Sequence, residues 1–235
     1  MNLLDVVYVG VAGATSTWWV RKARGGWRQR FAMDVPEMPT KRGGVPRILL
    51  HAVSVGEAAA LRSLVPLLLD GGAEVVVSCT TDTGLKRAGE LYRDQAAVVR
   101  LPLDASWAGE RFLEAVQPDA VGLGELELWP YFLRSCARRG VPAAVINGRL
   151  SERSFKGYRK IRRWMRPSFA VLARAMVQDE AYAERFVAMG TPAERVEVTG
   201  SMKFDAARLA DHVEGQEELA ASLGIHPLKP LVVGG

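Results

Sequence analysis

The sequence predicts an α/β protein, a parallel sheet with helices on both faces. Three observations predict it. Short β-rich runs alternate strictly with runs of helical period, the pattern of repeated βαβ units. Several helical runs open on residues suited to a helix start. The polar residues gather in the loops that follow the apolar runs, which form one edge of a parallel sheet and bind ligands there. The 235-residue chain, 49% hydrophobic and 24% charged, has a globular composition and is long enough to bury a core.

Residues 3–20 are mostly apolar, with Asp5, Gly10 and Gly13 inside. The stretch is short and interrupted for a clean membrane span, which needs roughly 20 apolar residues. It reads as an interfacial or marginally inserted helix. Trp18 and Trp19 follow, then Arg21, Lys22, Arg24, Arg28 and Arg30, an order that suits a cytoplasmic headgroup region and is wrong for a signal peptide. The competing reading is a helix packed on the protein's own core. Residues 31–46, rich in Pro and Gly, read as a loop.

Strands are expected at 47–52, 74–80, 97–101, 119–123, 142–147, 170–177 and 195–199. Helices are expected between them at 57–69, 83–93, 106–116, 128–139, 153–167 and 179–189. Thr81 or Asp82 caps the second helix, and Pro130 sits in the first turn of the fourth, where a missing N–H costs nothing. Beyond 205, an exit segment and a short helical run at 216–223 lead to Leu231-Val232-Val233-Gly234-Gly235, which reads as the opening strand of a second α/β domain.

Net charge is +5, which fits an anionic partner. A second basic cluster, Arg159, Lys160, Arg162, Arg163 and Arg166, is interleaved with Trp164 and Phe169. Each cluster, taken alone, reads as a solvated face. There is no recognisable DNA- or RNA-binding motif, so nucleic acid is not an expected partner. Cys79 and Cys136 read as buried reduced thiols, and the three histidines lack metal-ligand spacing.

No P-loop or GxGxxG turn is present. Ser54-Val55-Gly56 looks superficially like a nucleophile elbow without its flanking glycines, and His51 reads as a strand-end histidine bonded to backbone. Glu57 falls at a helix start, where N–H groups and the helix dipole favour a carboxylate able to act as a general base. The same placement fits a plain helix-start glutamate. Glu125 and Glu127 follow an apolar strand, and if strand geometry persists they share a face. Lys203, after strand 195–199, lies near the same edge and is suited to offset developing negative charge; alternatively it pairs with Asp205.

Taken in order, the runs HAVSVGE (51–57), TTDTG (80–84), LPLD (101–104), ELELWP (125–130), NGRLSERSFKGY (147–158), QDE (178–180) and GSMKFD (200–205) resemble the amino-terminal half of the 3-deoxy-D-manno-octulosonic acid (Kdo) transferase family. The resemblance implies a GT-B type glycosyltransferase with two facing Rossmann-like domains. It implies transfer of Kdo from CMP-Kdo to the lipid A precursor (lipid IVA) in lipopolysaccharide biosynthesis, at the cytoplasmic face of the inner membrane. By that resemblance Glu57 is the general base, and Glu125 and Lys203 stabilise the transition state. Ser54, Gly56, Glu127, Asn147, Arg149 and Ser151 are the candidate substrate-binding residues. Inversion by direct displacement is expected, with no metal and no cofactor.

Two positions depart from the family pattern. Leu126 replaces a small polar residue and Tyr131 an asparagine, changes expected to bear on acceptor fit. The expected domains are a membrane-proximal segment 1–30, an acceptor-binding domain 31–205, and a linker with a first strand at 206–235. The nucleotide-binding half is expected after that strand, so the chain as given is expected to bind acceptor but not CMP-Kdo. The alternative is a catalytically inactive fragment that binds membrane or anionic lipid.

Overall fold

The structure, a computed structural model, describes residues 25–34, 36–205 and 215–225. The apolar stretch 3–20 and the expected strand at 231–235 lie outside the described residues. Helix α1 (Trp27–Arg30) precedes a seven-stranded sheet. The strands are β1 (Arg47–Ala52), β2 (Glu74–Cys79), β3 (Ala97–Arg100), β4 (Ala120–Gly124), β5 (Ala143–Gly148), β6 (Arg174–Val177) and β7 (Val196–Val198). The helices between them are α2 (Val55–Ala60), α3 (Leu64–Asp70), α4 (Asp82–Tyr92), α5 (Ser106–Val116), α6 (Pro130–Arg138), α7 (Glu152–Lys160), α8 (Arg162–Ala170) and α9 (Glu180–Met189). The short helices α10 (Met202–Asp205) and α11 (Gln216–Ser222) follow β7.

Every strand pair is parallel, in the order β3-β2-β1-β4-β5-β6-β7. The chain winds outward from β1 through β2 to β3, then returns to the centre and winds the other way from β4. The loops after β1 and β4 therefore diverge at the middle of the sheet, the topological switch point where open α/β sheets hold ligands.

Both faces of the sheet are covered, which explains why the strands read as nearly continuous apolar runs. Leu49, Val76, Val121 and Val145 bury into one core with Phe112, Phe132, Phe169 and Phe186. Their chain neighbours Leu50, Val75, Val77 and Ile146 bury into the other, against Ala58, Leu61, Val65 and Tyr92. At the N-terminal edge, Arg47 is 2% exposed. Its side chain donates to Glu74 at 2.9 Å, to the Val116 carbonyl at 2.9 Å and to the Pro39 carbonyl at 2.8 Å, while its backbone N–H donates to Asp119 at 2.7 Å.

Three expected elements differ. The helix expected at 57–69 is two helices, α2 and α3. Pro66 has no N–H and its ring would meet the carbonyl of Arg62 in a continuous helix, so the helix restarts at Leu64 with Pro66 in its first turn. The helix expected at 153–167 breaks at Ile161, and the expected strand 170–177 shrinks to β6. Met165, Phe169 and Leu172 are buried at helical spacing, so α8 runs on to Ala170 through a stretch that reads as strand. The first basic cluster is not wholly a solvated face: Arg30 is 4% exposed and tied to the sheet edge. Helix α1, which closes the expected membrane-proximal segment 1–30, is thus packed on the domain. In the second cluster Arg159, Lys160, Arg162, Arg163 and Arg166 are exposed, as expected of a solvated face.

Candidate active site

The corner after β1 is built by the local sequence Ser54-Val55-Gly56-Glu57. Ser54 caps α2: its hydroxyl oxygen accepts the Glu57 N–H at 3.3 Å. The same hydroxyl donates to Glu57 Oε1 at 2.8 Å, and the Val53 N–H donates to Glu57 Oε2 at 3.0 Å. This reciprocal arrangement is a variant of the capping box. It folds the carboxylate back over the end of β1 instead of leaving it free in solvent. Val55 and Gly56 form the exposed lip, and a Cβ at Gly56 would meet nothing within 4 Å.

The opposite wall follows β4. A Cβ at Gly124 would lie 2.9 Å from the His51 carbonyl oxygen and 3.3 Å from Glu57 Oε2, so a bare backbone here lets β4 close on the Glu57 corner. The strand stops at Gly124, and Glu125 turns into the left-handed region at φ 49°. Strand alternation therefore does not carry Glu125 and Glu127 to a common face, contrary to the sequence expectation. Glu125 pairs instead with Lys203 of α10, Nζ to Oε1 at 2.9 Å. Lys203 thus spans to the β4 loop in place of the local partner Asp205.

Glu127 lies in the electrostatic field of both other glutamates. Burial, then the charges of Glu57 and Glu125, push its carboxyl up to about 7, against the opposing influence of the Trp129 side chain. The native state then keeps a proton that the unfolded chain loses near its model value of 4.5, so this group erodes stability as pH rises from about 4.5 to 7. Glu127→Gln is expected to be more stable than the parent at pH 8 by on the order of 3 kcal/mol, with the difference vanishing at pH 4. Urea unfolding at the two pH values checks this, and an equal difference at both would show that the carboxyl is not held protonated.

The third wall comes from β5 and its loop. Asn147, 5% exposed and left-handed at φ 53°, accepts at Oδ1 from Gln178 Nε2 at 3.1 Å and from the Met202 N–H at 3.1 Å. Its side-chain oxygen braces β5, the end of β6 and α10. Ser151 likewise caps α7, accepting from the Ser154 N–H at 3.3 Å. Arg149 is exposed; a hydrogen bond from its guanidinium to Tyr182 and the charge of Glu125 hold its pKa above the ordinary value.

Beneath the corner, His51 is fully buried. Its ring bonds two hydroxyls, Ser78 Oγ at 3.0 Å and Thr80 Oγ1 at 3.3 Å, as well as the backbone at Ser78, and burial pushes it down to about 4. It is therefore a neutral brace. Asp104 caps α6 from the β3 loop, accepting the Tyr131 and Phe132 N–H groups at 3.2 and 2.8 Å. Both cysteines are buried, with thiols pushed up to about 12, as inert core residues require. Among the described residues, no group of three or more His, Cys, Asp or Glu is placed to hold a metal ion.

Glu57, Glu125, Glu127, Lys203 and Arg149 thus ring the switch point. The sequence profile of the family described as 3-deoxy-D-manno-octulosonic-acid transferase (kdotransferase) matches residues 25–206, the span that carries them. The chain belongs to the Kdo transferase family. It is 34% identical to the 3-deoxy-D-manno-octulosonic acid transferase of Chlamydia trachomatis serovar D over 86% of this chain and 49% of the relative. It is 33% identical to that of Bordetella pertussis over 84% of this chain and 48% of the relative. The chain spans about half the length of these curated relatives.

Among solved structures, it is similar to Anabaena HepE in complex with UDP-glucose, with a TM-score of 0.55 and 13% identity over 76% of this chain and 50% of that one. It is also similar to the UDP-GlcNAc 2-epimerase of Neisseria meningitidis bound to UDP-GlcNAc, with a TM-score of 0.52 and 14% identity over 76% of this chain and 52% of that one. These likenesses show the fold: a Rossmann-like domain of the GT-B arrangement. Within the Kdo transferase pattern, both departures fall in packing positions. Leu126 packs against the main core, and Tyr131 is 4% exposed with the Arg134 guanidinium 5.5 Å from its ring centroid.

Sequence reasoning missed Gly124, whose signal is a glycine closing an apolar strand just before a carboxylate. It also missed Tyr182, which no local pattern singles out.

Proposed function

We propose that this chain is the acceptor-binding half of an enzyme that transfers Kdo from CMP-Kdo to a hydroxyl of lipid IVA. The observation that carries the reading is the Glu57 corner: a carboxylate held by Val53 and Ser54 at the switch point, with the Glu125–Lys203 pair across from it. In the proposed step the acceptor oxygen attacks the anomeric carbon of Kdo while its proton passes to Glu57. The bond from that carbon to the CMP phosphate breaks, and its electron pair leaves with the phosphate. Attack opposite the leaving group inverts the anomeric centre. Lys203 offsets negative charge developing in the transition state, and Glu125 fixes the lysine in place. No metal or cofactor takes part in this reading. The donor site is assigned to the half of the relatives' length that this chain does not span.

The acceptor is a glycolipid, so the site must work at a membrane surface, which we place at the cytoplasmic face of the inner membrane. Helix α7 starts at the site's third wall and has no buried residue. Along α7 and α8, Arg153, Lys156, Arg159, Lys160, Arg162, Arg163 and Arg166 are exposed, and Ile161 and Trp164 are 46% and 40% exposed. Basic residues around exposed apolar ones suit an anionic lipid surface. The same face favours a second reading, a lipid-binding fragment without catalysis.

The test joins this chain to the donor-binding half of a family member and supplies CMP-Kdo with lipid IVA. Formation of Kdo-linked lipid IVA is expected. Binding of both substrates without transfer would leave the lipid-binding reading in its place.

A further inference from the structure

The end of β5 holds both members of the Glu125–Lys203 pair, by different means. Its main chain holds Glu125. The Glu125 N–H donates to the Ile146 carbonyl at 3.0 Å, and the Arg149 N–H donates to the Glu125 carbonyl at 3.3 Å. Between Ile146 and Arg149, the side chain of Asn147 holds α10. Its Oδ1 accepts the Met202 N–H at 3.1 Å, and the next residue, Lys203, carries Nζ to Glu125 Oε1 at 2.9 Å.

Helix α10 needs such a hold. It runs only from Met202 to Asp205, and none of its residues is buried. A single turn of helix is not stable alone. The Lys203 side chain is 49% exposed, and an ion pair that open to water orients the ammonium but does little to hold the backbone. Asn147 is fitted to the task. Its φ of 53° lies in the left-handed region, which asparagine tolerates better than most residues. Gln178 Nε2 donates to its carbonyl and to its Oδ1, both at 3.1 Å, which fixes the amide with its oxygen toward Met202. Asn147 is buried, so water does not compete freely for that oxygen.

We propose that Asn147 is a positioning residue: its side-chain oxygen sets the place of α10 and so brings Lys203 to Glu125 and to the reacting centre. The proposal rests on the transfer reading above, in which Lys203 offsets developing charge. This role has a signature distinct from direct acceptor binding. A residue acting through Lys203 lowers kcat, leaves the acceptor KM, and has nothing more to lose once Lys203 is gone.

The test uses the chain joined to a donor-binding half, with CMP-Kdo and lipid IVA. Asn147→Gly removes the oxygen while keeping a residue at ease at φ 53°. It is expected to lower kcat by about 10–100-fold, with the acceptor KM within about twofold of the parent. In a Lys203→Ala background, adding Asn147→Gly should change kcat by less than about twofold. Amide exchange over 202–205 should be about tenfold faster in Asn147→Gly. Should Asn147→Gly unfold, Met202→Pro breaks the same bond from the other end, at the first position of α10, where proline is tolerated, and is expected to give the same loss of kcat. A raised acceptor KM with kcat kept, a loss of kcat that persists in full in the Lys203→Ala background, or unchanged exchange over 202–205 overturns the positioning role. A Lys203→Ala variant with the parent kcat overturns instead the part given to Lys203 in the transfer reading, and the exchange measurement then still decides whether Asn147 places α10.

Discussion

Glu57→Gln is expected to lower kcat by about 10²–10⁴ in the chain joined to a donor-binding half, with KM for the acceptor little changed. The glutamine keeps the shape and an oxygen for the Val53 N–H, and its amide can donate to the Ser54 hydroxyl that now donates to Oε1. The corner should therefore hold, with a stability change under about 1 kcal/mol. What is lost is the ability to take a proton from the acceptor hydroxyl. A pure helix-capping glutamate predicts the opposite pattern, a small effect on turnover that follows the change in stability. Steady-state transfer kinetics with a thermal unfolding curve separate the two, and near-normal kcat in the glutamine variant would remove Glu57 from the chemistry. Glu57→Ala is the less informative variant, because it removes base and cap together.

Arg47→Met should have the largest effect on stability, a loss of about 3–5 kcal/mol. Methionine fills much of the volume but abandons Glu74, the Val116 carbonyl and the Pro39 carbonyl, which the guanidinium serves at the closed edge of the sheet. Glu74 keeps its exposed partner Arg42, so the cost comes chiefly from unpaired groups near the buried end of β1. Adding Glu74→Gln should restore part of it, because the partly buried carboxylate no longer lacks its inner partner. Urea unfolding of the single and double variants measures both. A loss below about 1 kcal/mol would show that water replaces the guanidinium freely. Arg47 sits at the edge of the sheet opposite the Glu57 corner, so acceptor binding at temperatures where the variant is folded should be unaffected.

The strands were legible because both faces of the sheet are covered, leaving apolar runs that end in polar loops. Helix ends were less so. Pro66 sits early in α3, a position a proline tolerates, and the break it forces upstream leaves no other mark. Phe169 to Leu172 are apolar enough to serve as strand, and only the distant spacing to Met165 reveals a helix. In the site, motif and sheet edge together were enough to single out Glu57, Glu125 and Lys203 as candidates. The left-handed turn at Glu125 was not legible, since no glycine marks it, and the carbonyl that accepts the Glu125 N–H, that of Ile146, lies on a neighbouring strand. Contacts such as Asn147 with Gln178 and Met202, or His51 with Ser78 and Thr80, join residues far apart in the chain, and no local pattern encodes them.

Val53 joins the Glu57 corner to the TTDTG run through main-chain atoms alone, its amide toward Glu57 and its carbonyl toward Thr81. An alanine scan would pass over it, since every substitution except proline preserves both groups. Any residue but proline at position 53 would thus keep both main-chain contacts. Replacing its amide with an ester by semisynthesis would expose their role, unmooring the Glu57 carboxylate with no side chain altered.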